Sequence, residues 1–411
     1  MTSVNDVLPT NRIVRRSAAT TDMYDRAVKA SLTGHTITGR SGKTVRLSDG
    51  SECVEFVSCS YLGLDDHPRL IQAARSAIDK YGIHFSSSRN SMQPVEIDEL
   101  EELFGEIYPG MTSVVFNSVS SVHLGVLPLL GAGILKGYPI SGNGPLFIID
   151  RTAHASMQCI RGVLEQTGPA IRFRSEEPDT LTAALAQAQS ENRTPIVLVD
   201  GIGSMGGLID VAGISEAVGE ERGYVYIDDA HGTSISGPHG AGYAFEALGN
   251  RIPPQVLLVG SLSKAFGGSG GVILVHSPAD AEVLRREANP MVFGHSNMIT
   301  HVVANAESAR MHLDGTVATL QDQLWANVAL FDKCTTRNVV NAGAPSPIRG
   351  LAMETEEAAF QSAVRLREAG VLCFPVFYPV VARGTGLLRF AISAKHTPVQ
   401  IESIAHHITT V

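Results

Sequence analysis

Between residues 112 and 277 the chain repeats one pattern seven times: a short apolar or β-branched run, usually followed by a stretch with helical spacing. The runs are "TSVVF" (112–116), "LFIID" (146–150), "AIRFR" (170–174), "PIVLVD" (195–200), "YVYIDD" (224–229), "QVLLVGS" (255–261) and "GGVILVHS" (270–277). A strand wet on one face alternates apolar and polar residues, whereas several of these runs are unbroken and need cover on both faces. Between them lie helical patterns such as "EPDTLTAALAQAQS" (177–190) and "ISEAVGEERG" (214–223). Strand–helix alternation of this kind predicts a mostly parallel α/β sheet, with any ligand beyond the carboxyl ends of its strands.

The rest of the chain hangs on that sheet. Residues 1–60 are polar and weakly patterned and are expected to form an N-terminal arm. Residues 61–290 are expected to form the large α/β domain, with helices at "HPRLIQAARSAIDKYG" (67–82) and "EIDELEELFGEIYPG" (96–110). From 291 to 411 the pattern turns helix-rich, with short strands at "VLCFPVF" and "LLRFAIS", and predicts a smaller α+β domain.

Bulk chemistry excludes several function classes. A formal charge of −9 opposes broad binding to nucleic acid or an anionic membrane. No stretch approaches the roughly 18 apolar residues of a membrane span. Five scattered cysteines with no C-x-x-C pair fit neither a disulfide framework nor a structural zinc site, so no metal is expected and a reduced, cytoplasmic setting is.

The strand ends carry the chemistry. "YVYIDDAHGTS" closes on Asp228, Asp229 and His231; "LFIIDRTAHAS" on Asp150 and His154; "PIVLVDGIGSMGG" on Asp200; and "QVLLVGSLSK" on Ser261, Ser263 and Lys264. If these strands are neighbours, one crevice holds carboxylates, two imidazoles, hydroxyls and a lysine. Each residue alone has an ordinary reading: solvated loop lysine, helix-capping aspartate, satisfied core histidine. Together they suit pyridoxal phosphate. A lysine amine forms a Schiff base with its aldehyde, a carboxylate keeps the pyridine nitrogen protonated, a ring stacks on the pyridine, and hydroxyls with backbone N–H groups take the phosphate. "GIGSMG" (201–206) matches the G-x-G-x-x-G dinucleotide fingerprint, but it lies deep in the domain and does not open directly into a helix. A nicotinamide-dependent dehydrogenase is therefore the weaker alternative.

With these residues identified, the chain resembles the α-oxoamine synthases, a group of fold type I pyridoxal phosphate enzymes. The likeness rests on "YLGLDDHP" (61–68), "DRTAHAS" (150–156), "DGIGSMGG" (200–207), "DDAHGTSISGPHGAG" (228–242), "GSLSKAFGGSGG" (260–271) and "YPVVARGTGLLRFAISAKHT" (378–397). It implies that Lys264 bonds the cofactor, Asp228 faces the pyridine nitrogen, His231 the phenolic oxygen, and His154 stacks on the ring. It implies further cofactor contacts from Ser261, Ser204, Asp200 and the Ser118-Val119-Ser120 turn, and from Ser296 of a second copy in a homodimer. Arg389 matches the arginine that clamps an amino-acid carboxylate, with Cys59, Arg89 and Ser263 as further substrate contacts. The implied reaction is a decarboxylative Claisen condensation of an amino acid with an acyl thioester, carried on coenzyme A or a carrier protein. Alternatives on the same scaffold are the reverse coenzyme A-dependent cleavage, transamination or an aldol-type step. A non-catalytic partner subunit of this fold usually lacks the lysine.

Departures from the family pattern cluster around the substrates. Cys59 replaces an asparagine, "SVS" (118–120) replaces S-G-aromatic, His123 stands where asparagine is usual, and "LKGYPISGNGP" (135–145) is inserted. They point to an enzyme of specialised metabolism.

Overall fold

The computed structural model describes residues 22–220, 223–335, 339–378 and 380–410. The first 21 residues of the expected arm lie outside the described residues. Two compact units emerge: Ser60–Gln323, and the segments before Ser60 and after Gln323 together.

In the larger unit the seven runs form one sheet: β1 (Thr112–Phe116), β2 (Pro145–Asp150), β3 (Ala170–Phe173), β4 (Thr194–Asp200), β5 (Tyr224–Asp228), β6 (Val256–Ser261) and β7 (Gly271–Val275). The order is β1-β7-β6-β5-β4-β2-β3. All pairs are parallel except those of β7, which runs against both its neighbours. The unbroken runs are explained by two cores. Leu146 and Ile148 of β2 join Val197, Val199, Val225 and Ile227 on one face; Phe147 and Ile149 join Ile196, Leu198 and Tyr226 on the other.

Four helices frame this sheet and its strand ends: α1 (Pro68–Tyr81), α2 (Glu96–Ile107), α3 (Val119–Gly131) and α4 (Ile299–Leu313). Helix α1 has proline at its start and Gly82 at φ 75° at its end, the asymmetry that the sequence shows. Helix α4 packs on α1 and α2. The larger unit therefore extends to Gln323, where the sequence reading ends it at 290; an isolated amphipathic helix does not reveal which sheet it covers.

The 135–145 insertion is pinned at the amino-terminal edge of the sheet. Lys136 and Gly137 donate backbone N–H bonds of 2.7 and 2.8 Å to the buried Asp280 carboxylate, and Tyr138 packs edge-on to Tyr224. That edge is opposite the strand ends bearing the polar residues.

In the smaller unit the expected arm is largely strand from Ile37 onward. Strands Ile37–Ser41, Thr44–Leu47 and Glu52–Glu55 form an antiparallel meander that Val371–Leu372 extends in parallel. A second sheet pairs Gly386–Ala391 with Ile348–Met353 and Phe374–Val376. His396 holds this unit together: it stacks on Phe56 with centroids 4.0 Å apart, accepts the Ser393 N–H at Nδ1 (3.0 Å), and donates from Nε2 to the Glu55 carbonyl (3.0 Å).

Only the neutral Nε2–H tautomer satisfies both bonds, so a second proton would face the Ser393 N–H. Burial, with the Lys43 charge adding to it, lowers the His396 pKa to about 3. Between about pH 6.5 and 3 the unfolded chain binds this proton and the folded one does not, so stability is full above 6.5 and falls on acidification. By pH 4 this group alone removes roughly 3 kcal/mol. Urea midpoints measured from pH 7 to pH 4 should fall more steeply for the wild type than for His396→Gln; parallel slopes would refute the assignment.

Candidate active site

The parallel register sets Asp200 of β4 opposite Asp228 of β5, and Asp228 opposite Val259 of β6. Their carboxyl ends open on a cleft of about 190 Å³ lined by Lys264, Asp228, Asp200, His154, His231, Ser261 and Ser263, with Val119 and Ser120 from the start of α3. The convergence expected of the strand ends is realised. A larger open depression around Ser215 and Gln255 has Glu216 as its one titratable residue.

Asp228 is 3% exposed. Its Oδ1 accepts the Ala230 N–H at 3.0 Å, and its Oδ2 lies 3.1 Å from His123 Nε2. Burial pushes its pKa up, but the His123 hydrogen bond and charge, the Lys264 charge and the Ala230 N–H outweigh it and hold the carboxyl below its ordinary range. Asp200 behaves oppositely. Burial and the neighbouring Asp228 charge raise it far above the usual carboxylate range, although its Oδ1 accepts the His154 N–H at 3.1 Å. Two adjacent carboxyls are thus driven in opposite directions, Asp228 towards the anion and Asp200 towards the neutral acid.

His154 precedes the short helix Ala155–Cys159. Its Nδ1 accepts the Ser156 N–H at 3.3 Å and lies 2.6 Å from Ser156 Oγ, which leaves the proton on Nε2. Burial, with Lys264 and His123, lowers its pKa despite the opposing pull of Asp228, so the ring is neutral and suited to stacking. His231 Nδ1 lies 2.8 Å from the hydroxyl of Tyr61, a fully buried residue.

The anion end of the cleft is the start of α3. Ser118 caps this 13-residue helix, accepting the Ser121 N–H at 3.1 Å, and is not in the lining itself. The Val119 and Ser120 N–H groups lie outside the helix's own ladder, where a phosphate is favoured. A β-carbon on Gly271 would stand 2.7 Å from Val119 N, so glycine there lets β7 lie against this turn. Gly267, at φ 86°, lets the loop after Lys264 press on Leu64. These glycines serve backbone packing around the lysine. Ser263 Oγ ties the loop closed, accepting the Gly270 N–H at 2.9 Å.

Other expected residues lie elsewhere. Ser204 sits in a turn closed by Gly203 N–H to Gly207 O (2.8 Å), and Ile202 lines the cleft in its stead. The "GIGSMG" motif is that turn, and the next helix starts only at Val211, so it is no dinucleotide loop. Arg89 is committed to the fold: buried, paired with Glu101 at 2.8 Å and donating to the Val115 carbonyl at 2.7 Å. Ser296 donates its N–H to the Ser87 carbonyl (3.2 Å) and is not in the lining. Asp150 accepts from Ser175 Oγ at 3.1 Å and Thr152 Oγ1 at 2.5 Å, closing the β2–β3 end. In the smaller unit, Arg389 is buried and donates from Nη2 towards Cys59 Sγ at 3.5 Å. In the sequence His123 stands out only as a departure from the family pattern, and Tyr61 and Tyr226 carry no assigned role. His123 follows Val119 by one helical turn, and Tyr226 precedes Asp228 by one strand period, signals available to a face-by-face reading.

The donor set fits pyridoxal phosphate: an amine, an anchored carboxylate for the ring nitrogen, a neutral ring for its face, and a helix start with hydroxyls for its phosphate. Fold and cleft are those of the fold type I pyridoxal phosphate enzymes. More particularly, the chain belongs to the aminotransferase class I and II family, whose model matches residues 51–408. It is 28% identical to the 8-amino-7-oxononanoate synthase of Alkaliphilus metalliredigens, over 86% of each chain. It is 28% identical to the 2-amino-3-ketobutyrate coenzyme A ligase of Escherichia coli K12, over 91% of each. Its fold superposes on a serine palmitoyltransferase solved with pyridoxal phosphate at TM-score 0.84, with 22% identity and 97% and 98% of the two chains covered.

Proposed function

We propose that this protein joins an amino acid to an acyl group carried as a thioester, with loss of CO₂, to give an α-amino ketone. The observation that carries this reading is the meeting of Lys264 with the Asp228 anion, His154 and His231 in a cleft that ends on the start of α3.

Bound pyridoxal phosphate supplies the electron sink that acidifies the amino acid's α-carbon. The protein's residues supply the rest. Lys264 Nζ would anchor the cofactor, and it is the amine placed in the cleft to take up and return a proton. Asp228, held at both oxygens, would keep a positive charge on the ring nitrogen. His231, paired with Tyr61, would serve the phenolic oxygen, and His154 the ring face. The Val119 and Ser120 N–H groups with Ser261 would hold the phosphate. Arg389 is the guanidinium assigned to the substrate carboxylate, a task suited to a planar fork of donors. Two copies form the working unit in this reading. Three residues before Ser296, Phe293 is 81% exposed, an apolar ring uncovered in a lone chain.

Free thiol and CO₂ should appear together, in equal amounts, only when amino acid and acyl thioester are both present. Release of acyl thioester from a β-keto amino acid and free coenzyme A, with no forward reaction, would reassign the protein to cleavage.

A further inference from the structure

Behind the cleft, three fully or nearly fully buried side chains stand in a line. Tyr226 and His123 are 0% exposed and Asp228 is 3% exposed. Tyr226 Oη is 3.0 Å from His123 Nδ1, and His123 Nε2 is 3.1 Å from Asp228 Oδ2. Tyr226 and Asp228 are two residues apart on β5 and so share the face that α3 covers. His123 reaches both from the fifth position of α3, whose first residues line the cleft.

The proton positions follow from what each atom can do. An ionised carboxylate only accepts, so His123 Nε2–H donates to Asp228 Oδ2. Nδ1 lies within hydrogen-bond reach of the Tyr226 hydroxyl, which can donate to a neutral ring or accept from a charged one. Burial, with Asp228 behind it, raises the Tyr226 pKa and keeps this phenol in its O–H form. The chain is therefore continuous: Tyr226 Oη to His123 Nδ1, and His123 Nε2–H to Asp228 Oδ2. With the Ala230 N–H on Oδ1, it fixes both oxygens of Asp228 and aims the remaining lone pairs into the cleft. An ordinary core histidine is satisfied by backbone groups; this one has as its partners a tyrosine and the charged side chain of the site.

We propose that His123 is a positioning residue: backed by Tyr226, it fixes the orientation and charge of Asp228 and so sets how firmly the cleft holds a protonated pyridine ring. This rests on the proposed function, since it concerns the same carboxylate. It adds a histidine and a tyrosine that never touch the ligand.

The test is pyridoxal phosphate titration of the whole protein without substrate, followed by absorbance, for wild type, His123→Leu, His123→Gln and Tyr226→Phe. Leucine leaves Asp228 Oδ2 with no donor and should weaken cofactor binding by about 10- to 100-fold while changing the bound cofactor's visible spectrum. Glutamine keeps an amide donor at the reach of Nε2 and should restore affinity to within about threefold, together with the wild-type spectrum. Phenylalanine at 226 should give a smaller loss of about threefold to tenfold. A merely structural role would lower melting temperature without this ordering of affinity and spectrum. If the leucine variant does not fold, glutamine and phenylalanine decide: cofactor affinity and spectrum unchanged in Tyr226→Phe would overturn the relay. A wild type that takes up no pyridoxal phosphate overturns the functional reading itself. A wild type that does, with His123→Leu indistinguishable from it, overturns this inference alone.

Discussion

Lys264→Ala should leave a folded protein that has lost condensation activity by a factor on the order of 10⁴ or more, the scale set by removing a covalent anchor that is also the proton-transfer base. The loop around Lys264 is held by other groups: Ser263 Oγ bridges to Gly270, Gly267 N–H bonds back to the Lys264 carbonyl at 3.0 Å, and Asn305 of α4 binds both backbone groups of Ser269. Thermal stability without cofactor should therefore match wild type closely, while rates of thiol and CO₂ release collapse. Lys264→Arg keeps the charge but not the nucleophile and should fail equally. An alanine variant retaining a tenth of the wild-type rate would show that the amine is only a neighbour of the chemistry.

Asp228→Asn should be nearly as damaging to activity, yet benign to the fold. The asparagine is the same size and removes a buried charge. The relay behind it can rearrange, with the new side-chain amide donating to His123 Nε2 and His123 Nδ1–H donating to Tyr226 Oη, so that both His123 nitrogens stay paired and the Tyr226 hydroxyl proton is the one group that loses its acceptor, a cost set against the removed buried charge. What is lost is the anion opposite the ring nitrogen. A drop on the order of 10²- to 10³-fold in kcat is expected, the magnitude typical of removing one preorganised electrostatic partner. The urea midpoint should hold or rise. Activity within tenfold of wild type, or a loss that simply tracks unfolding, would contradict the role given to Asp228.

The sheet was legible because residues such as Phe147, Ile149, Leu198 and Ile227 leave no polar alternation, a signature of cover on both faces. The site was legible for a related reason: Asp228, His154, Asp200 and Lys264 fall at or just after the ends of such runs, where polar residues have no structural cause to gather. Tyr61 and His231, 170 residues apart, meet only through tertiary packing. Arg89 read as a substrate residue because its partner Glu101 lies on the following helix, and an ion pair across a loop leaves no periodic trace. Gly267 and Gly271 of "GGSGG" make room for Leu64 and the α3 turn, close approaches that leave no trace in the sequence. His123, a departure from the family pattern grouped with the substrate-side changes, is instead buried between Tyr226 and Asp228, which is the basis for proposing it as a cofactor-side support.

The central claim, that Lys264 carries pyridoxal phosphate, is tested most directly by covalent trapping. Wild-type protein is incubated with pyridoxal phosphate, reduced with borohydride, digested and analysed by mass spectrometry. The account predicts a single modified site, Lys264, with none remaining in Lys264→Ala. Unmodified wild-type protein, or modification at another lysine that persists in the alanine variant, would contradict it.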